Sequence, residues 1–210
     1  MKQQFTLVAA ALLSFTLTYC SQPEREQEAT VEETSHAAHA GAVEEENSLA
    51  IQEQAEPDTL KGSLKAEAHG MVGNAHLTLH YHSPAVRGRV IWGGLVAYNQ
   101  VWVTGAHSAT SLTTDKDITI GGKYLPAGKY ALFTIPGQDE WTIIINKKWE
   151  QHLADDYSEK EDVLRFTVKP DTTDQHQERL RYHFQSETDS KGALIISWEK
   201  LRLSLPIEQA

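Results

Sequence analysis

Apolar and polar residues alternate with a period of two through much of the chain after residue 60. The clearest runs are 75–82, 179–184, 194–198 and 201–207. Successive side chains of a β-strand point to opposite faces, so this period predicts strands with one buried face. In the run 179–184 the apolar face comprises Leu180, Tyr182 and Phe184, and the polar face comprises Arg179, Arg181 and His183.

Two tryptophans and an uninterrupted apolar run predict where the core lies. Residues 141–145 are apolar at nearly every position, which indicates a central strand covered on both faces. Trp141 and Trp198 both fall in predicted strands, and we expect both in the core. Only residues 148–158, which include Trp149 and His152, interrupt the pattern, and they predict a short helix or an irregular excursion.

Turn residues separate the predicted strands at short intervals. Gly121-Gly122 is suited to a two-residue hairpin, since both positions tolerate a positive φ. Residues 125–128 read Leu-Pro-Ala-Gly, which fits a type I turn, and residues 189–192 separate the last two long strands. Eight to ten short strands predict an all-β fold over residues 61–210, either an antiparallel β-sandwich or a jelly-roll-like barrel.

The first twenty residues have the three parts of a bacterial export signal. Lys2 provides the positive start, and an apolar stretch follows from Phe5 to Thr18, too short to span a bilayer. It leads to Cys20, the only cysteine of the chain, in the run Leu17-Thr18-Tyr19-Cys20. This run resembles a bacterial lipoprotein signal, although a small residue is usual where Tyr19 stands. We expect residues 1–19 to be cleaved and Cys20 to be lipidated; an ordinary cleaved signal with an incidental cysteine is the alternative.

The segment between the cysteine and the β-domain carries the negative charge of the chain. The formal net charge is −10, and residues 21–60 contain eleven acidic residues against one arginine. With no aromatic residue and few branched aliphatics, residues 20–60 are predicted to form a disordered acidic linker. His36 and His39 in this tract are expected to be solvated. A nucleic-acid partner is disfavoured, because no basic patch is visible and phosphates repel acidic protein.

A long series of motifs, in order, resembles the bacterial envelope family known as domain of unknown function 2911. The series covers residues 61–170 well and the last strands by general pattern. It consists of Ser83-Pro84, Arg87-Gly88-Arg89, Ile91-Trp92-Gly93-Gly94-Leu95-Val96, Val101-Trp102, Thr104-Gly105-Ala106, Ala109-Thr110, Gly122-Lys123, Leu125 to Pro136, Trp141 to Ile144, Asn146-Lys147 and Asp162 to Arg165.

The resemblance implies an exported, largely β domain, often found on lipoproteins, with no established reaction. The chain departs from the family at three places. Val103 stands where the family often has Arg, His107-Ser108 stands where it often has Asn-Glu, and residues 151–157 lack the usual Trp-Gly. If those polar positions line a site in relatives, the site is altered in this chain.

One candidate site is a group of histidines. His76, His80 and His82 share one strand face, and the spacing His80-Tyr81-His82 is one by which β-barrel metal enzymes present two imidazoles to one ion. No acid follows in residues 83–86, so a third ligand would have to be His107 or a remote carboxylate. The alternative is a solvated strand face that is rich in histidine, with no metal cofactor.

A second candidate site combines aromatic rings with guanidinium groups, which together can bind a sugar or a carboxylate. The structural alternative is that the tryptophans fill the core and the arginines bind loop carbonyls. The predicted ligand-binding residues are Arg87, Arg89, Trp102, Thr104, His107 and Thr110, with Trp92 beside them.

Signatures of catalysis are missing from the sequence. Lipidation consumes the only thiol, and the chain contains no Gly-x-Ser-x-Gly elbow, His-Glu-x-x-His pair or phosphate-binding loop. We therefore predict a non-catalytic, lipid-anchored outer-membrane protein whose domain, periplasmic or surface-exposed, binds a small ligand, a glycan or an envelope protein. The alternative is a metal-dependent enzyme that uses His80, His82 and His107.

Overall fold

The computed structural model of the chain describes residues 60–210. The predicted signal peptide, the lipidation of Cys20 and nearly all of the predicted acidic linker lie outside these residues. Ten strands form the described part: β1 Leu64–Val72, β2 Ala75–Ser83, β3 Thr110–Thr114, β4 Ile118–Ile120, β5 Lys123–Leu125, β6 Gly128–Ile135, β7 Trp141–Asn146, β8 Asp162–Val168, β9 Asp171–Ser186 and β10 Lys191–Gln209.

The strands form two antiparallel sheets. The first has six strands in the order β1-β2-β3-β6-β7-β8, and the second has four in the order β5-β4-β10-β9. The predicted all-β fold is confirmed. Of the two predicted architectures, the structure is the β-sandwich, because the sheets do not close into one barrel. Within residues 60–210 no helix is long and apolar enough to cross a membrane.

The main core lies between the two sheets and follows the period-two pattern. In β2, Leu77 and Leu79 are fully buried and face the core, while the histidines that alternate with them are more exposed. The second sheet contributes the alternating residues of β10, including Trp198, and Trp141 enters from β7. The predictions for both tryptophans are confirmed, since each is only 1% exposed.

A smaller apolar layer covers the outer face of the six-stranded sheet. It contains Ile144 of β7 and Phe133 of β6, whereas Ile143 and Ile145 of β7 belong to the main core. Partly buried residues from 101–102 and 149–157 pack against this layer. The prediction that 141–145 is covered on both faces is therefore confirmed.

Of the predicted turns, the Gly121-Gly122 hairpin is confirmed, residues 126–127 link β5 to β6 of the other sheet by a bend instead of the predicted type I turn, and residues 187–190 separate β9 from β10. Gly121 and Gly122 form a two-residue hairpin loop between β4 and β5, with φ angles of +59° and +73°. A Cβ on Gly121 would also lie 2.2 Å from the Phe166 ring, so glycine is required there for space as well. Residues 148–158 form an irregular excursion, and a 3₁₀-helix at Glu159–Glu161 follows it.

Arg179 does not lie on a solvated face, contrary to the pattern of its strand. Its side chain is 1% exposed. The guanidinium group donates to the carbonyl oxygens of Leu60 (2.7 Å), Gly62 (3.0 Å) and Ser83 (2.9 Å). Burial of an arginine is tolerated where such hydrogen bonds replace its hydration, and here they join β9 to the start of the domain.

Candidate functional site

A cleft of about 470 Å³ opens on the outer face of the six-stranded sheet. We call it the histidine cleft, and its polar and aromatic lining consists of Lys65, His80, Tyr81, His82, Ser108, Ser111, Lys129, Trp149, Glu150, Gln151 and His152. The pairing of β1, β2 and β3 brings these residues together, since Lys65 is opposite His82 and His80 is opposite Ser111. Its size is within the range of small-molecule sites.

Two segments that cover the outer face form the far wall of the cleft. Ser108 and His152 form an isolated β-bridge. On either side of it, the Ala109 amide donates to the Gln151 carbonyl (3.0 Å) and the Leu153 amide donates to the His107 carbonyl (2.8 Å). These hydrogen bonds hold His152 beside His80 and His82, although it is far from them in the sequence.

The cleft lining contains two ammonium groups that could contact an anion. Lys65 and Lys129 line it with one carboxylate, that of Glu150, and a second carboxylate, Glu67, lies beside the cleft in contact with His80. The ammonium of Lys129 also lies 3.7 Å from the centroid of the Trp149 ring, a cation–π contact that holds both side chains at the rim. A ligand with a carboxylate would meet the ammonium groups of Lys65 and Lys129 in the lining.

The histidines in and beside the cleft differ in their surroundings. His80 Nδ1 lies 2.9 Å from Glu67 Oε1, and the other oxygen of that carboxylate lies 2.8 Å from His69 Nε2. Burial lowers the pKa of His82 below its ordinary value, and the nearby His107 and Lys65 lower it further. His82 is therefore mainly neutral at pH 7, and its ring can donate a hydrogen bond to a ligand or accept one from it.

The residues of the predicted metal site are only partly brought together. His82 and His107 have ring centroids 5.1 Å apart, while His80 is engaged by Glu67. Among residues 60–210, no group of three or more histidine, cysteine, aspartate or glutamate side chains could hold a metal ion. Metal binding by His80, His82 and His107 stays a prediction, which metal analysis of protein purified without a histidine tag would test.

The two arginines of the predicted ligand site bind backbone carbonyls. Arg87 donates from its guanidinium to Leu60 O (2.9 Å). Arg89 donates from Nε to Val86 O (3.1 Å) and from Nη2 to Ala85 O. This arrangement is the structural alternative considered for these residues, and it stabilises the loop that follows β2.

The aromatic and hydroxyl members of that set are also part of the fold. The Trp102 indole donates to Gly105 O (3.1 Å), and Thr104 and Thr110 are fully buried, with Thr110 Oγ1 donating to Thr104 O (2.9 Å). Of the six predicted residues, His107 is the one adjacent to the histidine cleft, through its ring contact with His82. Ligand binding by the set stays a prediction.

Several residues of the cleft had no signal in the sequence as site residues. Lys65, Lys129 and Trp149 come from β1, β6 and the excursion after β7. A lysine or a tryptophan at a strand end has many structural uses. Only the departure from period two at 148–158 pointed to this region.

The fold and the cleft define a small antiparallel β-sandwich domain with a polar site on one outer face. The chain belongs to the family described as "Protein of unknown function (DUF2911)", whose model matches residues 63–207. The resemblance seen in the motifs is thus confirmed, over a longer range than those motifs cover. No curated protein and no solved structure matches the chain.

Proposed function

We propose that this protein is a non-catalytic binding protein of the bacterial envelope, and that its domain takes a small anionic ligand, such as an acidic sugar, in the histidine cleft. The observation that carries this proposal is the cleft itself. It presents two lysines, three histidines, two serines, one glutamine, one glutamate and the aromatic rings of Tyr81 and Trp149 around a volume of about 470 Å³. This composition supplies charge for a carboxylate and many hydrogen-bond partners for hydroxyl groups.

The proposal predicts that the protein prefers a negatively charged sugar to a neutral one. Glucuronate is expected to bind the purified full chain measurably more tightly than glucose, because only glucuronate can pair with Lys65 and Lys129. Lys129→Gln is expected to weaken glucuronate binding roughly fivefold to tenfold, the usual effect of losing one charged hydrogen bond. NMR titration that follows the His80 and His82 ring signals measures both effects.

Lys123→Gln is the matched control, since it removes the same charge from an exposed residue of β5, in the other sheet. It is expected to bind glucuronate like the unmodified protein. Equal weakening by both variants would show attraction to overall charge instead of a site. If glucuronate leaves the ring signals of His80 and His82 unchanged, the proposal is wrong.

The envelope location is proposed from the amino-terminal sequence. Cleavage before Cys20 and acylation of its thiol and new amino group would hold the domain at the outer membrane, periplasmic or surface-exposed, through two or more lipid chains. Mass analysis of the mature protein from a bacterial membrane fraction is expected to find an acylated Cys20 at the amino terminus. Cys20→Ser is expected to release the protein into the soluble fraction. A mature chain that begins elsewhere without acylation would contradict the anchor.

A further inference from the structure

The irregular segment that forms part of the far wall of the histidine cleft is closed at its base by side chains. It leaves β7 after Asn146 and enters β8 at Asp162, and we call residues 147–161 the wall loop. The loop supplies Trp149, Glu150, Gln151 and His152 to the cleft lining. The groups that fix the two ends of the loop therefore decide where these side chains lie.

Asn146 joins the two ends of the wall loop through one fully buried side-chain amide. Its Oδ1 accepts from the Lys148 amide (2.9 Å) at the start of the loop, and its Nδ2 donates to the Ser158 carbonyl (3.0 Å) near the end. Nδ2 also donates to Asp162 Oδ1 (2.7 Å). Because two acceptors face Nδ2 and a donor faces Oδ1, these partners determine the orientation of the amide. One buried side chain thus connects the start of the loop to its end.

Asp162 links this amide to a second contact with the loop. Its other oxygen, Oδ2, accepts from the Tyr157 hydroxyl (2.8 Å) and from Arg165 Nε (2.5 Å). Burial raises the pKa of Tyr157 to about 12, and the hydrogen bond to Asp162 raises it as well, so the hydroxyl keeps its proton at pH 7. The Tyr157 ring also contacts Phe133 of β6, with centroids 5.3 Å apart. The end of the wall loop is therefore attached both to β8 and to the outer face of the sheet.

The cleft residues of the loop are connected to this base through the backbone of Lys148. Asn146 binds the Lys148 amide, and the next residue is Trp149, whose ring centroid lies 3.7 Å from Lys129 Nζ. The Lys148 carbonyl accepts from the side-chain amide of Gln151, and the Trp149 carbonyl accepts from its backbone amide (3.1 Å). The positions of Trp149 and Gln151 in the cleft thus depend on a residue that Asn146 holds.

We propose that Asn146 and Asp162 are positioning residues of the histidine cleft, which close the base of the wall loop and thereby fix its cleft-lining side chains for a ligand. A hydrogen bond from an amide to a carboxylate is stronger than one between two neutral groups, so the charge of Asp162 strengthens the closure. The closure itself follows from contacts within the chain, whereas its effect on a ligand rests on the proposed function.

Asn146→Asp tests the closure with little change in side-chain volume. It replaces the donating nitrogen by an oxygen, so that Asp162 and the Ser158 carbonyl face an acceptor. Amide hydrogen exchange across residues 148–157 is expected to accelerate at least about tenfold at pH 7, and exchange in β10 far less. At about pH 5 part of this difference from the unmodified protein is expected to disappear, because two facing carboxylates readily share a proton, which restores a donor.

Asp162→Asn is the second variant, and it removes the charge with little change in size at a residue less buried than Asn146. It therefore tests the closure even where Asn146→Asp does not fold, and the same acceleration across residues 148–157 is expected. Glu159→Gln is the matched control. It makes the same kind of change at an exposed residue of the wall loop, which contacts Arg165 at 3.3 Å, and it is expected to leave the exchange unchanged.

The exchange pattern decides whether the two residues act on the loop. Unchanged exchange across residues 148–157 in the folded variants would overturn the proposal. So would an acceleration that is equal in the loop and in β10, since that pattern shows a loss of overall stability only.

Glucuronate titration of the same variants, followed by the His152 ring signal, separates this inference from the proposed function. Binding that weakens roughly fivefold or more in Asn146→Asp and Asp162→Asn, but not in Glu159→Gln, is the expected result. Faster loop exchange with unchanged glucuronate affinity would overturn the positioning role. If glucuronate does not bind the unmodified protein, the proposed function fails alone, and the loop exchange still decides whether Asn146 and Asp162 fix the wall.

Discussion

Arg179→Ala is expected to lower the free energy of unfolding by about 3 kcal/mol, one of the two largest effects of a single change considered in this protein. The guanidinium group donates to the carbonyl oxygens of Leu60, Gly62 and Ser83. Ser83 is fully buried, so its carbonyl has no ready access to water once the arginine is gone. A buried acceptor without a donor costs about 1–3 kcal/mol, and the lost packing of the long side chain adds to this.

Arg87→Ala is the matched control for this prediction. Arg87 also donates to the Leu60 carbonyl, at 2.9 Å, but its side chain is exposed. Its removal is expected to cost less than about 1 kcal/mol, because water can replace the lost donor. Thermal and urea unfolding of both variants measure the difference, and Arg179→Lys is expected to fall between them.

Equal stability of Arg179→Ala and the unmodified protein would show that these three hydrogen bonds make no net contribution to stability.

The expected loss of stability has a consequence for the histidine cleft. Ser83 ends β2, the strand that carries His80 and His82, and Leu60 and Gly62 lead into β1, which carries Lys65. Arg179 therefore positions both strands that form the floor of the histidine cleft.

Trp102→Ala is expected to lower the free energy of unfolding by about 3 kcal/mol as well. Trp102 is partly buried and belongs to a group of four indoles. Its ring is stacked on Trp198 with centroids 5.8 Å apart, and it lies 6.0 Å from Trp92 and 6.3 Å from Trp141. Truncation to alanine removes these contacts and leaves a cavity beside the core.

This variant distinguishes the two roles considered for Trp102. If its role is structural, Trp102→Ala unfolds at a lower denaturant concentration, and Trp102→Phe, which keeps an aromatic ring, loses roughly 1–2 kcal/mol. The folded Trp102→Phe protein is then expected to bind glucuronate as the unmodified protein does. Unchanged stability together with lost ligand binding would instead place Trp102 in a binding site.

Much of the fold could be predicted from the sequence, because the deciding features are local. The alternation in β2 gives its buried leucines and its histidine face, and the Gly121-Gly122 pair forms the expected hairpin loop. The apolar run of β7 correctly indicated a strand covered on both faces. In each case a side chain's environment follows from its neighbours in sequence.

The candidate site could be predicted only in part. His80 and His82 were recognised, because two residues apart on a strand is a local relation. Lys129 and His152 were not placed with them, since that requires the position of β6 in the sheet and the return of the excursion after β7 to Ser108. The irregular pairing of β9 with β10 could not be predicted either, because strand periodicity does not encode register shifts.

The sequence by itself determined that this protein has a β-domain preceded by an acidic segment, and which face of most strands is apolar. Both conclusions rest on composition and on a period of two, which are properties of short stretches of chain. The tertiary structure alone decided that Arg179 is buried and that lysines join the histidines in one cleft. Those features depend on sheet order and register, which bring together residues far apart in the sequence.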